Sequence, residues 1–194
     1  SLRHNPRVEF HYVGADQDIP EADLIILPGS KNVRDDLHWL RNNNWEAAIL
    51  KHLRYGGKLL GVCGGYQMLG QQLIDELGIE GSAGSSVGLG LVEMTTSLRD
   101  NKQLKQLQGT LHFDNAEFSG YEIHCGDSTH PPGLTPFLMT DCGREDGFIS
   151  RDGQISGTYL HGLFDSDKSS DAILRWAGLE NAQNIRDVEI GMNT

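Results

Sequence analysis

The chain has 194 residues, and 16 Lys+Arg against 27 Asp+Glu give a formal net charge of −11. That length suits one compact domain, and a hydrophobic share of 38% is enough for a core, so wholesale disorder is excluded. The acidic balance and scattered cations argue against a nucleic-acid partner. The longest apolar run, 24–27, argues against a membrane partner because a span needs roughly 18 apolar residues.

Residues 8–13 alternate in polarity and predict a half-buried strand. The run Leu24-Ile25-Ile26-Leu27, closed by Pro28-Gly29, predicts a buried parallel strand followed by a sharp turn. Helical spacing places helices near 33–41 and 44–55, the second ended by Gly56-Gly57. A strand over 58–62 and a helix over 65–77 follow, with Met68, Leu69, Leu73 and Leu77 on one helix face. This strand–helix rhythm predicts an α/β fold. Its open, mostly parallel twisted sheet has helices on both faces and resembles flavodoxin-like folds.

The second half reads differently. A Gly/Ser-rich loop is expected over 78–88, and strands over 87–96, 120–125, 136–140, 147–150 and 154–160, adding antiparallel strands to the sheet. A closing helix covers 168–177, with Asp165, Ser166 or Asp167 as its cap. The tail after 180 is polar and is expected to be loose. No basic, apolar opening reads as a secretory signal. The three cysteines, Cys63, Cys125 and Cys142, lie at no framework spacing, which points to a reducing cytoplasm.

The chemistry concentrates at Gly61-Val62-Cys63-Gly64-Gly65-Tyr66-Gln67. A strand ends at Val62 and a helix begins just after Cys63. Small residues flank the cysteine, as in the turn that projects a nucleophile from a sheet edge. A lone cysteine after an apolar strand is most often a small buried hydrophobe. Here a Gly-Gly opening would be costly for a purely structural helix, at about 1 kcal/mol per glycine. A helix N-terminus beneath the sulfur is expected to favour the thiolate, and the Gly64 amide to face a developing oxyanion. Among eight histidines, His161 stands at a strand end before Gly162 and is the candidate base. The turn Pro28-Gly29-Ser30-Lys31 supplies further amides at the same edge. It is not a phosphate loop, since no G-x-x-x-x-G-K-[ST] occurs in the sequence. A zinc site from His124, Cys125, His130 and Cys142 lacks any C-x-x-C pair, and no metal is expected.

Residues 61–70, with Leu27-Pro28-Gly29-Ser30-Lys31-Asn32 upstream, resemble the class I (triad-type) glutamine amidotransferases. Gly120-Tyr121-Glu122-Ile123-His124 and Gly157-Thr158-Tyr159-Leu160-His161-Gly162-Leu163-Phe164 resemble the cobyric acid synthase branch of that family, over about 8–176. The resemblance implies that Cys63 attacks the side-chain amide of glutamine and forms a thioester, with His161 as acid and base. Gly29 and Gly64 would hold the oxyanion beside Ser30. Gln67, Glu122 and His124 would help seat the substrate. It also implies a partner: an N-terminal synthetase domain that holds ATP and magnesium and amidates adenosylcobyrinic acid a,c-diamide. This chain would then be the glutaminase domain, with no cofactor of its own. Two related amidoligases remain as alternatives, cobyrinic acid a,c-diamide synthase and cell-wall isoglutaminyl synthase. A cysteine hydrolase on the same fold, or a partner domain whose site has decayed, are further alternatives. One departure stands out. Most triad-type relatives carry a Glu two residues after the catalytic His, within a His-Pro-Glu run, and position 163 is Leu. The residue that orients His161 is then either supplied from elsewhere, with Glu122 and Asp165 as the candidates, or missing, as the resemblance implies for this branch generally.

Overall fold

A computed structural model describes residues 2–102 and 104–179, and the backbone of 185–190. In chain order the elements are β1 (Val8–Val13), β2 (Leu24–Leu27), α1 (Val33–Asn42), α2 (Trp45–Arg54), β3 (Lys58–Val62) and α3 (Gly64–Met68). Then come β4 (Gln72–Asp75), β5 (Gly84–Val87), β6 (Thr95–Ser97), β7 (Lys105–Leu111), β8 (Glu117–Glu122) and β9 (Asp127–Thr129). The chain continues through β10 (Leu138–Thr140), β11 (Glu145–Asp146), β12 (Phe148–Ile149), β13 (Ile155–Thr158), β14 (Leu160–His161), α4 (Asp167–Trp176) and β15 (Ile185–Ile190).

The main sheet runs β1-β15-β2-β3-β13-β12 and is parallel except for β12. Its strands β2, β3 and β13 are buried on both faces, and alternate residues feed two cores. Ile25, Leu27 and Leu59 meet Leu37 and Leu40 of α1, Ile49 of α2 and Met68 of α3. Leu24, Ile26 and Leu60 meet Ala172, Ile173 and Leu174 of α4 together with Phe118 and Leu138. The expected open parallel sheet with helices on both faces is therefore present. The antiparallel additions form a five-stranded sheet, β11-β10-β7-β8-β14, and a smaller mixed one, β5-β4-β6-β9. At the second core the five-stranded sheet shares the covering role with α4.

Several boundaries differ from expectation. The helix expected over 65–77 stops at Met68, and Gln72–Asp75 is strand β4. The carbonyls of Met68, Leu69 and Gly70 accept N–H groups from Leu89, Leu91 and Gly90, so they cannot bond forward along a helix. Leu73 is buried as expected, but by strand alternation, and Leu77 is exposed. The strand expected over 87–96 is corrected to β5 and β6, since residues 88–92 supply those N–H groups instead. The loop expected over 78–88 ends in β5. β8 ends at Glu122, so His124 lies on the turn beyond it. Ser166 is the cap of α4, accepting from the Ser169 amide at 3.3 Å. Residues 185–190 form β15 between β1 and β2, which corrects the loose tail there; the rest of that tail lies outside the described residues. Among the described residues no helix is long and apolar enough to cross a membrane.

Candidate active site

The register brings three strand ends together. Leu27 pairs with Gly61, and Thr158 pairs with Val62. The chain after β2, β3 and β13 therefore leaves the carboxyl edge of the sheet side by side, where open α/β sheets carry their sites. Pro28-Gly29-Ser30, Cys63 and His161 line one cavity of about 480 Å³.

Cys63 adopts φ 52° and ψ −108°, a left-handed conformation that only a tightly determined turn sustains. The flanking glycines hold that turn. A Cβ on Gly64 would lie 2.7 Å from the Ser30 Cβ, and one on Gly61 2.7 Å from the Gly65 carbonyl oxygen. The Gly65 amide donates to the Pro28 carbonyl at 3.0 Å, which locks the elbow to the turn after β2. A Cβ on Gly29 would lie 3.3 Å from His161 Cε1 and 3.8 Å from the Cys63 Cβ. Gly29 is thus the floor on which nucleophile and candidate base meet.

The electrostatics correct one expectation. Cys63 is not held as a thiolate: burial pushes its thiol up to about 12, against the smaller opposing effect of the Gly64 amide. α3 is only five residues long and cannot offset that burial. The thiol donates to the Ile123 carbonyl at 3.5 Å. His161 is driven the other way. Burial lowers its pKa below 6.5, opposed by a hydrogen bond to the Ile123 carbonyl. Its Nε2 is buried without a partner. Its ring stacks on Tyr121 at 5.0 Å and 8°. A neutral imidazole with a bare nitrogen is the form that accepts a proton. The acid limb of kcat/KM for glutamine is therefore expected below pH 6.5, read from a pH–rate profile; a limb centred above that value contradicts it.

The remaining residues divide between two places. Ser30 and Leu163 line the cavity, Leu163 as a buried apolar wall. The Ser30 hydroxyl donates to the buried Asp36 carboxylate, which leaves backbone amides to face an oxyanion. Gln67 is buried one turn after Cys63, and its Nε2 donates to the Cys125 carbonyl at 3.4 Å and Tyr159 Oη at 3.3 Å. It supports the cavity wall rather than lining it. Glu122 and His124 open on a separate polar pocket of about 340 Å³ with Arg144, Asp146 and Tyr159. Neither Glu122 nor Asp165 hydrogen-bonds His161. Glu122 is engaged by His124 and Arg144, and the Asp165 amide donates to the Gly162 carbonyl at 3.1 Å.

Sequence reasoning missed Ile123, because a backbone carbonyl carries no residue signature. It also missed Lys102, which lines the cavity from a segment without a motif. Tyr159 could have been found: it lies inside the Gly-Thr-Tyr-Leu-His run and is buried against Gln67 and Ser128.

The chain is similar to two solved structures that share this fold. One is described as a glutamine amidotransferase, with 15% identity, TM-score 0.56, and coverage of 80% of this chain and 79% of that one. The other is PurLQS from Thermotoga maritima, with 18% identity, TM-score 0.60, and coverage of 86% and 85%. The sheet, the cysteine elbow and the facing histidine define a class I glutamine amidotransferase fold. Residues 1–169 match the model of the CobB/CobQ-like glutamine amidotransferase domain, and the chain belongs to that family of glutamine-hydrolysing amidotransferases.

Proposed function

We propose that this chain is the glutaminase of a cobyric acid synthase, supplying ammonia for ATP-dependent amidation of adenosylcobyrinic acid a,c-diamide. The observation that carries the glutaminase chemistry is the strained Cys63 turn and His161, with its Nε2 bare, on the wall of one cavity and both against Gly29. The family match and the Gly-Thr-Tyr-Leu-His-Gly-Leu-Phe run support the corrinoid acceptor. The chain has no phosphate loop of its own, so activation of the acceptor carboxylate by ATP and magnesium is assigned to a synthetase domain or subunit.

The reaction begins with a protonated thiol. When the carboxamide of glutamine enters, the Cys63 proton passes to His161 Nε2 and the sulfur adds to the amide carbon. The Gly64 and Gly29 amides face the resulting oxyanion. His161 then protonates the departing nitrogen, and ammonia leaves a γ-glutamyl thioester. Water, deprotonated by His161, cleaves the thioester to glutamate and restores the thiol. Among the described residues, the charged ones lining the cavity are Lys31 and Lys102, with no carboxylate beside them. In an acidic chain that lining suits the α-carboxylate of glutamine.

The test measures ammonia release from glutamine with and without a cobyric acid synthetase domain, ATP and the cobyrinic diamide. Release stimulated by that set is the expected result. Stimulation only by cobyrinic acid or a cell-wall acceptor, each with its own synthetase, assigns the chain to one of the related amidoligases. No release under any condition overturns the glutaminase reading.

A further inference from the structure

A histidine base works from one nitrogen only if the other is held by an acceptor, which fixes the tautomer and ring direction. Among the described residues no carboxylate does this. Position 163 is a buried Leu, and neither Glu122 nor Asp165 bonds the ring. The acceptor at hand is the Ile123 carbonyl, which receives the Cys63 thiol, lines the same cavity as His161 and opposes the lowering of its pKa. A carbonyl on a turn is only as well placed as the turn itself. What fixes that turn is therefore part of the catalytic machinery.

The turn is anchored on both sides of Ile123. Before it, the Glu122 carboxylate is buried and both of its oxygens are used. Oε1 accepts from His124 Nε2 at 2.6 Å and Oε2 from Arg144 Nη2. Burial alone would raise the Glu122 pKa, but the His124 and Arg144 hydrogen bonds outweigh it and hold the group at about 2. After Ile123, His124 Nδ1 bonds the Gly126 carbonyl at 2.9 Å, and the Cys125 carbonyl accepts from Gln67. The His124 ring stacks on Tyr159, two residues before His161, at 3.6 Å and 12°. These contacts commit the neighbouring polar groups, while the Ile123 carbonyl faces the thiol and the imidazole.

We propose that Glu122 is a positioning residue for His161. With His124 and Arg144 it fixes the 122–126 turn, so that the Ile123 carbonyl holds one ring nitrogen and leaves Nε2 bare. The proposal rests on the reading of His161 as the base. It gives the position left open by Leu163 a substitute that acts through the backbone rather than through a side chain.

The test is the ¹⁵N NMR signature of the His161 ring at fixed pH, together with kcat and KM for glutamine, in Glu122→Gln, Arg144→Met, Arg144→Lys and Asp165→Asn. The Arg144 side chain is 42% exposed, so its truncation should leave the fold intact even if Glu122→Gln does not. The expected result is a single tautomer with bare Nε2 in the unaltered chain and a mixture in Glu122→Gln and Arg144→Met. In those two variants kcat falls about 10- to 100-fold with little change in KM, as expected when only about a tenth to a hundredth of the molecules hold the competent tautomer. Arg144→Lys recovers much of the loss, and Asp165→Asn keeps the single tautomer. An unchanged tautomer in folded Arg144→Met overturns the proposal, as does a mixture seen in Asp165→Asn alone. The spectrum needs no turnover, so failure of the glutaminase assay is told apart from failure of this inference.

Discussion

Replacing Cys63 with serine lowers glutamine hydrolysis by at least about 10³-fold, the scale of a lost nucleophile and equivalent to about 4 kcal/mol of transition-state stabilisation. The two side chains are nearly isosteric, and the elbow is fixed by its glycines rather than by the sulfur. The variant should therefore melt within a few degrees of the parent. The chemical reason for the loss is proton affinity. Burial already pushes the Cys63 thiol up to about 12, and His161, lowered by its own burial, is a modest base. A serine hydroxyl in the same place is a far weaker acid, and the same imidazole cannot deprotonate it at a useful rate. Ammonia release in steady state, with a thermal melt on the same sample, separates the two quantities. Retained activity with an intact fold would sink the role assigned to Cys63.

The same raised thiol pKa bears on control. A nucleophile protonated at rest and donating to Ile123 is quiet until something rearranges the proton. Cys142 is the opposite case: it is exposed, and its pKa is lowered by the Thr140 hydroxyl, yet it lines neither the catalytic cavity nor the polar pocket beside it. Reactivity toward a general thiol reagent is thus a poor guide to function in this chain. Geometry is the better one, because the strained turn, the facing base and the cavity coincide only at Cys63.

Much of this was legible in the sequence, for physical reasons. The parallel sheet announced itself through apolar runs such as Leu24–Leu27, whose alternate residues feed opposite cores. The elbow was legible because only glycine fits beside Cys63. What failed was the reading of short apolar spacings. Met68, Leu69 and Leu73 fit a helix and also fit a helix end followed by a strand, and the choice was made by the N–H groups of the 88–92 segment. β7 went unread because Lys105–Leu111 places Gln and Gly where strands usually carry branched side chains. Gly109 is required there, since a Cβ would lie 2.1 Å from the Met139 carbonyl oxygen. At the site, the side chains were visible by type, but their grouping was not. Glu122 proved to bond both His124 and Arg144, the latter 22 residues downstream, between β10 and β11.

Gly65→Ala tests the elbow itself, and the expected effect is large on both fold and function. A Cβ at position 65 would lie 2.0 Å from the Leu27 carbonyl oxygen and 2.5 Å from its carbonyl carbon. Both are backbone atoms of the central strand β2, which pairs on both sides and cannot yield as a flexible side chain would. Helix α3 must therefore move away from the sheet. Overpacking of this kind costs about 3 kcal/mol, which for a chain of this length lowers the melting temperature by about 6–12 °C. The functional loss should exceed what that destabilisation explains at a temperature where the variant is still folded. The Gly65 amide bonds the Pro28 carbonyl, so displacing α3 also shifts Gly29, which stands against both Cys63 and His161. A sub-ångström change there separates nucleophile from base and costs about 10²-fold in rate. Melting curves and single-turnover ammonia release on the same preparation check both halves. A variant that melts like the parent and keeps its rate would show that the close packing of α3 on β2 does not hold the nucleophile in place.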